Sequence, residues 1–363
     1  MVRNPTEFER TARTLTESER TARTPTEFER IERFFAPLAG HGALGLKDDA
    51  ALLDPIPGRR FVLTVDAMVA GVHYLPDDPP DLVARKLLRV NLSDLAAMGA
   101  APEGYLLTTA LPPDHGADWL ERFAAGLAAD QAEFGIVLLG GDSVATPGPA
   151  TFSLTAIGSV EAGRELRRSG TQPGDHVYVS GTLGDGALGL RAIRGELPSS
   201  LGRAERDALA DRYRLPRPRL ALGRRLTGSP AAAAADPLAH AAMDISDGLV
   251  ADLGHICDAS GVAATVRADL LPLSPAARAA LDADPALLAL VLAGGDDYEL
   301  LFTAPPQHAA TLAAISAELD LPLTRIGEIA ASRPPHPAAE PAVRVVDGDG
   351  HELSLPQRGY RHF

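Results

Sequence analysis

Apolar residues broken at single positions by polar ones mark 59–69 (RRFVLTVDAMV) and 103–111 (EGYLLTTAL) as strands. Between them, 81–100 (DLVARKLLRVNLSDLAAMGA) carries the spacing of a helix. Pro79 and Pro80 lead into it, Asp81 is placed to cap it and Gly99 to end it. A second helix spans 117–135 and also ends in glycine. A short apolar strand at 136–143 runs into a Gly-Gly turn, and 151–160 is another strand. After a polar linker at 167–175 the pattern restarts. It reads as a strand at 176–181, a helix from about Gly186, a Gly/Asp turn at 242–248, a helix at 248–260, and a turn at 292–305 feeding a strand. Residues 325–330 and 342–350 read as a closing strand pair. Two α/β domains are predicted, 27–170 and 171–363.

The first thirty residues repeat a decapeptide: TEFERTARTL from Thr6, TESERTARTP from Thr16 and TEFERIERFF from Thr26. The repeat is charged and Thr-rich with little to bury, so residues 1–26 read as a disordered extension. The third copy differs. Phe28, Ile31, Phe34 and Phe35 sit at helical spacing, which predicts that the fold begins near Glu27 with an amphipathic helix.

With 34 Lys+Arg against 48 Asp+Glu, the 363-residue chain carries a formal charge of −14. That balance argues against nucleic-acid binding, which relies on basic side chains at phosphates. No apolar run is long enough to span a bilayer, and the N-terminus has no apolar signal region. The single Cys257 excludes an internal disulfide framework and a cysteine zinc site. A cytoplasmic protein is expected. Lysine occurs only at Lys47 and Lys86. Neither precedes Ser or Thr, so the chain has no P-loop.

The informative residues are acids at turns and inside apolar runs. Asp48 and Asp49 precede an apolar run. Asp66 lies inside a strand, and Asp94 lies on a helix beside Asn91. Asp142 follows Gly140-Gly141, Asp244 and Asp247 bracket Ser246, and Asp296, Asp297 and Glu299 follow Gly294-Gly295. A single such acid is usually a cap or turn former. Several drawn together would raise one another's pKa unless divalent cations lay between them. Hard oxygen ligands suit Mg²⁺, and neighbouring glycines let backbone amides line a phosphate. This reading requires that the turns converge in space.

Other motifs compete. Gly184 to Gly189 fits the dinucleotide fingerprint G-x-G-x-x-G after a strand, but the region where its acidic partner belongs is polar and helix-like. It reads better as a structural turn. The chain has no G-x-S-x-G elbow and no H-E-x-x-H pattern. His73 and Arg168 by themselves read as loop residues.

In their order along the chain, these turns resemble those of the thiamine-monophosphate kinases in the aminoimidazole-ribonucleotide-synthetase-like (PurM-like) superfamily. The matching text is K-D-D-A-A-L-L, T-V-D-A-M-V-A-G-V-H-Y, V-N-L-S-D-L-A-A-M-G-A, L-L-G-G-D-S, R-S-G, P-G-D-H-V-Y-V-S-G-T-L-G-D, M-D-I-S-D-G-L-V-A-D-L, G-G-D-D-Y-E-L and G-Y-R-H-F. It runs from about residue 27 to the end. The resemblance implies a two-domain α/β (α+β) PurM-like fold, with an N-terminal mixed-sheet domain that dimerises and a C-terminal α/β domain. It implies direct in-line transfer of the γ-phosphoryl of ATP to thiamine monophosphate, the last step in making thiamine diphosphate, with several Mg²⁺ ions and no general base. The implied Mg²⁺ ligands are Asp49, Thr64, Val65, Asp66, Asp94, Asp142, Asp244 and Asp247, with Val65 acting through its carbonyl. Gly141, Asp142, Arg168 and Ser246 would meet ATP, and His73, Asp296 and Tyr360 would meet thiamine monophosphate. Two departures stand out. Lys47 occupies a position usually held by glycine in G-I-G-D-D, and Asp296 is one methylene shorter than the usual glutamate of G-G-E-D.

Overall fold

The structure is a computed structural model and describes residues 27–228, 237–330 and 342–360. The decapeptide repeats before Thr26, expected to be disordered, lie outside the described residues. A helical turn at Glu27–Arg30 continues into a wider one at Ile31–Phe35, which buries Phe34 and Phe35.

Strands β1 (Arg59–Val69), β2 (Ala101–Leu111), β3 (Val137–Ala145) and β4 (Thr151–Glu161) form one mixed sheet in the order β1-β4-β2-β3. Only β2 and β3 run parallel. The period of two sends Tyr105, Leu107, Phe152 and Leu154 inward, and Phe61, Leu63, Val65 and Leu106 outward, where they are exposed.

Helices α1 (Pro80–Ala97) and α2 (Ala117–Phe134) cover the inner face. Pro80 suits the first helical position because no amide is needed there. Pro79, not Asp81, occupies the cap. Asp81 lies in the first turn and accepts from Arg122 at 2.7 Å. Gly99 ends the segment at φ +70°, and a Cβ there would meet Thr227 Cγ2 at 2.2 Å. Arg89 clasps the fully buried Asp130 of α2 at 2.7 and 2.9 Å.

The second sheet contains β5 (His176–Ser180), β6 (Ala241–Asp244), β7 (Ala263–Arg267), β8 (Leu300–Ala304), β9 (Leu323–Ala330) and β10 (Val343–Val346) in the order β10-β7-β9-β5-β8-β6. The expected pair of closing strands does not form. β7 lies between them, antiparallel to β9 and parallel to β10. This arrangement buries Val343 and Val345 in the C-terminal core. Val177, Val179 and Leu301 face that core, while Tyr178 and Phe302 face the core that contains α1. Covered on both faces, β5 and β8 read as unbroken apolar runs. Helix α1 is thus sandwiched between the two sheets. Helices α3 (Asp185–Ile193), α4 (Arg203–Arg214), α5 (Leu220–Leu226) and α6 (Leu249–Ser260) pack around them. Among the described residues no helix is long and apolar enough to cross a membrane.

Phe152 is fully buried and stacks on Phe123 and Trp119, with ring centroids at 4.9 and 5.9 Å. Phe152→Ala should cost about 3–5 kcal/mol in denaturant unfolding. A loss below ~1 kcal/mol would mean that the stack contributes little.

Candidate active site

Strand β1 and helix α1 build one side of the site. Thr64 and Asp66 point inward from β1, and Val65 between them points outward. Thr64 Oγ1 donates to Asp94 Oδ2 at 2.5 Å. The Asn91 side-chain oxygen accepts the Asp66 amide at 3.2 Å, and its Nδ2 donates to the Leu87 carbonyl at 3.0 Å. Asp244, at the end of β6, is buried against them. Burial pushes Asp66 up to about 7, and the Asp94 carboxylate adds to the push. Burial also raises Asp94, while the Thr64 hydroxyl and the Arg168 guanidinium pull it down. Asp244 stands well above the usual carboxylate range, first through burial and then through Asp94. These three carboxylates, from three separate segments, therefore act on one another.

The loop after β6 completes this side. Asp252 Oδ2, in the first turn of α6, accepts the amides of Ser246, Asp247 and Gly248, each at 3.1 Å. Burial and the neighbouring Asp247 raise it to about 7. Sequence reasoning passed over Asp252, although an acid in a helix's first turn after S-D-G was the available signal. The Asp296 amide donates to the Ser246 carbonyl at 2.9 Å and the Tyr360 amide to the Asp247 carbonyl at 2.9 Å. Residues 244–247, 296 and 360 therefore share one neighbourhood.

The acids of G-G-D-D-Y-E have separate tasks. Asp296 Oδ1 meets Lys86 Nζ at 3.3 Å. Lys86 also donates to the His73 carbonyl at 3.2 Å, so His73 and Asp296 lie on either side of one ammonium. The His73 ring is turned back, with Nδ1 accepting the Val69 amide at 3.0 Å. Asp297 accepts the Gly184 and Gly186 amides at 2.8 and 3.1 Å. Burial pushes it up to about 8, against those two bonds. The glycine turn at 184–189 thus already has its amides taken by a carboxyl of its own chain, which makes it a structural turn. Glu299 accepts from Ser180 at 2.6 Å, Arg212 at 3.1 Å and Arg219 at 2.6 Å.

Asp49 and Asp142 are elsewhere. With Asp48, Thr108, Gly140, Gly141 and Thr155 they line a cavity of about 700 Å³. Strand register explains the separation. Asp142 stands opposite Thr108, Thr108 opposite Ser153, and Ser153 opposite Ala67. Asp142 therefore shares the outward face with Ala67, while Asp66, one residue earlier, faces inward. Asp66, Asp94 and Asp244 come together, whereas Asp49 and Asp142 line the cavity on the other face of the first sheet. Gly141 is required where it stands, because a Cβ would lie 1.8 Å from the Leu107 carbonyl oxygen. Lys47 is exposed.

Among the described residues, the site acids do not form a trio with oxygens all within 4.8 Å of one another. Carboxylate oxygens such as those of Asp66, Asp94 and Asp244 are hard donors of the kind Mg²⁺ takes, its other positions being filled by water and substrate phosphates.

Residues 47–160 match the N-terminal domain of AIR synthase related proteins, and residues 172–335 match the C-terminal domain. The thiamine-monophosphate kinase of Caulobacter vibrioides is 45% identical over 289 residues, which covers 79% of this chain and 78% of that protein. That of Escherichia coli is 39% identical over 326 residues, covering 88% and 92%. A crystal structure of thiamine-monophosphate kinase from Stenotrophomonas maltophilia matches with a TM-score of 0.73 at 43% identity, over 85% of this chain and 91% of that one. A structure of AaThiL complexed with AMPPCP and TMP matches with a TM-score of 0.70 at 30% identity, over 87% and 91%.

The raised pKa of Asp66 has a definite consequence for stability. Between the unfolded value of 3.8 and the folded value of about 7, the folded state holds the extra proton. Metal-free protein should therefore lose stability as pH rises through that window, by a few kcal/mol at most. Asp66→Asn should gain in thermal midpoint relative to wild type between pH 5 and pH 8 without divalent cations. A pH-independent difference between the two proteins would contradict the burial cost, and the added push from Asp94, that raise Asp66.

Proposed function

The chain belongs to the AIR synthase related family, among its thiamine-monophosphate kinases, and from that premise we propose that it phosphorylates thiamine monophosphate with ATP, giving thiamine diphosphate and ADP. The carrying observation is a solved relative with AMPPCP and TMP bound, matched over 87% of this chain.

ATP and thiamine monophosphate together carry roughly six negative charges near neutral pH. At ~4 Å each unit pair repels by about 4 kcal/mol at an effective dielectric of 20. In this reading, Asp66, Asp94, Asp244 and Asp247, with Thr64 and the Val65 carbonyl, would hold Mg²⁺ on the inner side, and Asp49 and Asp142 would supply carboxylates for Mg²⁺ on the outer side. Bound Mg²⁺ supplies charge neutralisation between the two sets of phosphate oxygens. Gly141, Asp142, Arg168 and Ser246 orient ATP, and His73, Asp296 and Tyr360 hold thiamine monophosphate. The attacking phosphate oxygen is already ionised, so the chain needs no general base. Its contribution is orientation and a fixed electrostatic frame.

A homodimer completes the proposal. Phe61, Leu63, Val65, Leu106 and Val144 are exposed on the outer side of the first sheet. Burying such a side chain contributes about 1.5–3 kcal/mol. A second copy covers this face, which also carries Asp142, and so brings the outer acids toward the interface.

ADP release should require Mg²⁺ and thiamine monophosphate. Asp94→Asn should lower it by roughly 10²–10³-fold while unfolding stays cooperative, and wild-type turnover would remove Asp94 from the ligand set. Leu63→Arg should sediment as a monomer and lose ADP release. An active variant of unchanged mass would exclude this face as the dimer interface.

A further inference from the structure

The chain uses arginine for nearly all of its cations. Among 34 Lys+Arg residues only Lys47 and Lys86 are lysine. The Lys86 side chain is 4% exposed. Its ammonium lies 3.7 Å from the Tyr213 ring centroid, 3.3 Å from Asp296 Oδ1 and 3.2 Å from the His73 carbonyl. The Tyr213 hydroxyl reaches the same carbonyl at 3.5 Å. The three partners come from three segments: the loop after β1, helix α4 and the turn at 294–299. Helix α4 is further tied to the N-terminal half by Arg214 Nε to Asp78 at 2.7 Å. An ammonium's donors diverge, so one can face a ring while the others reach two oxygens. A guanidinium's donors lie in one plane and cannot reproduce that pattern.

We infer that Lys86 is a positioning residue for the phosphoryl acceptor, holding Asp296 and the His73 loop in the orientation that receives the substrate's ring end. The inference rests on the proposed reading in which His73 and Asp296 meet thiamine monophosphate. The exposures fit an indirect role. Asp296 keeps 29% of its side chain accessible, while the ammonium behind it is nearly hidden. Asp296 also adopts φ +70°, a conformation that persists only when surrounding contacts over-determine it. Its amide bond to Ser246 and the ion pair to Lys86 supply those contacts. Paired with the ammonium, Asp296 serves as a hydrogen-bond acceptor with little net local charge. That suits a donor on a heterocycle and leaves the phosphates to the acids across the site.

The test is steady-state kinetics of the full chain with Mg²⁺-ATP. Lys86→Met and Lys86→Arg should each raise KM for thiamine monophosphate by about tenfold or more, with kcat and the KM for ATP within about twofold of wild type. Asp296→Ala should raise the same KM. The Lys86→Met/Asp296→Ala pair should be no worse than the worse single variant, as expected for residues acting through one contact. An unchanged KM in both Lys86 variants, a loss confined to kcat, or additive losses in the pair would overturn the inference. Thermal unfolding reports whether each variant folds, and Lys86→Arg keeps the charge should Lys86→Met fail to fold. Wild-type protein that does not consume thiamine monophosphate would sink the kinase reading itself, whereas an active wild type with silent variants would sink only the role of Lys86.

Discussion

The site depends on one helix being buried between two sheets. Helix α1 packs against β1 and β4 on one side and against β6 and β8 on the other, with α2 and α5 beside it. Its apolar residues Leu87, Leu88, Leu92 and Leu95 are fully buried, which anchors it against both halves of the molecule. Its polar residues cannot reach water freely, so each is costly without a partner. Arg89 answers Asp130, Asn91 answers the Asp66 amide and the Leu87 carbonyl, and Lys86 answers Asp296 and His73. Asp94 accepts from Thr64 and also faces other carboxylates. A rigid helix thereby carries cation, amide and carboxylate chemistry into the seam where the two halves meet.

Two kinds of buried acid follow from this arrangement. Asp252 and Asp297 accept backbone amides and so fix a loop and a helix start. Asp66, Asp94 and Asp244 are raised by burial too, but without amide partners among the described residues, and Asp94 adds to the push on the other two. A set of carboxylates that repel in the free protein attracts divalent cations strongly, and through them anionic substrates. An acidic chain can handle polyphosphates in this way without a basic surface.

Much of this was legible along the chain. The alternation of strands and helices, the glycine that ends α1 and the structural nature of the glycine turn at 184–189 all emerged from local pattern. Adjacent acids were harder to tell apart. Asp296, Asp297 and Glu299 fall within four residues, yet one faces Lys86, one caps α3 and one joins a pair of arginines. In the sequence, Lys86 shows only that it makes no P-loop, since Leu87 follows it. Nothing local to it reveals a tyrosine ring 127 positions away (213 − 86). Strands β9 and β10 looked paired because they are neighbours in sequence, but pairing depends on which strand edge is open, and β7 provided it.

Local chemistry alone therefore determined which residues could be strands, which turns needed glycine, and that the chain has neither a P-loop nor a cysteine metal site. These are properties of a few neighbouring residues and their allowed backbone angles. Long-range packing decided the grouping of the acids. The pleat turned Asp66 inward and Asp142 outward, and burial of α1 brought Asp94 against Asp244, 150 residues later (244 − 94). Such distances in sequence close only when two cores form around one helix, and no short stretch of chain contains that information.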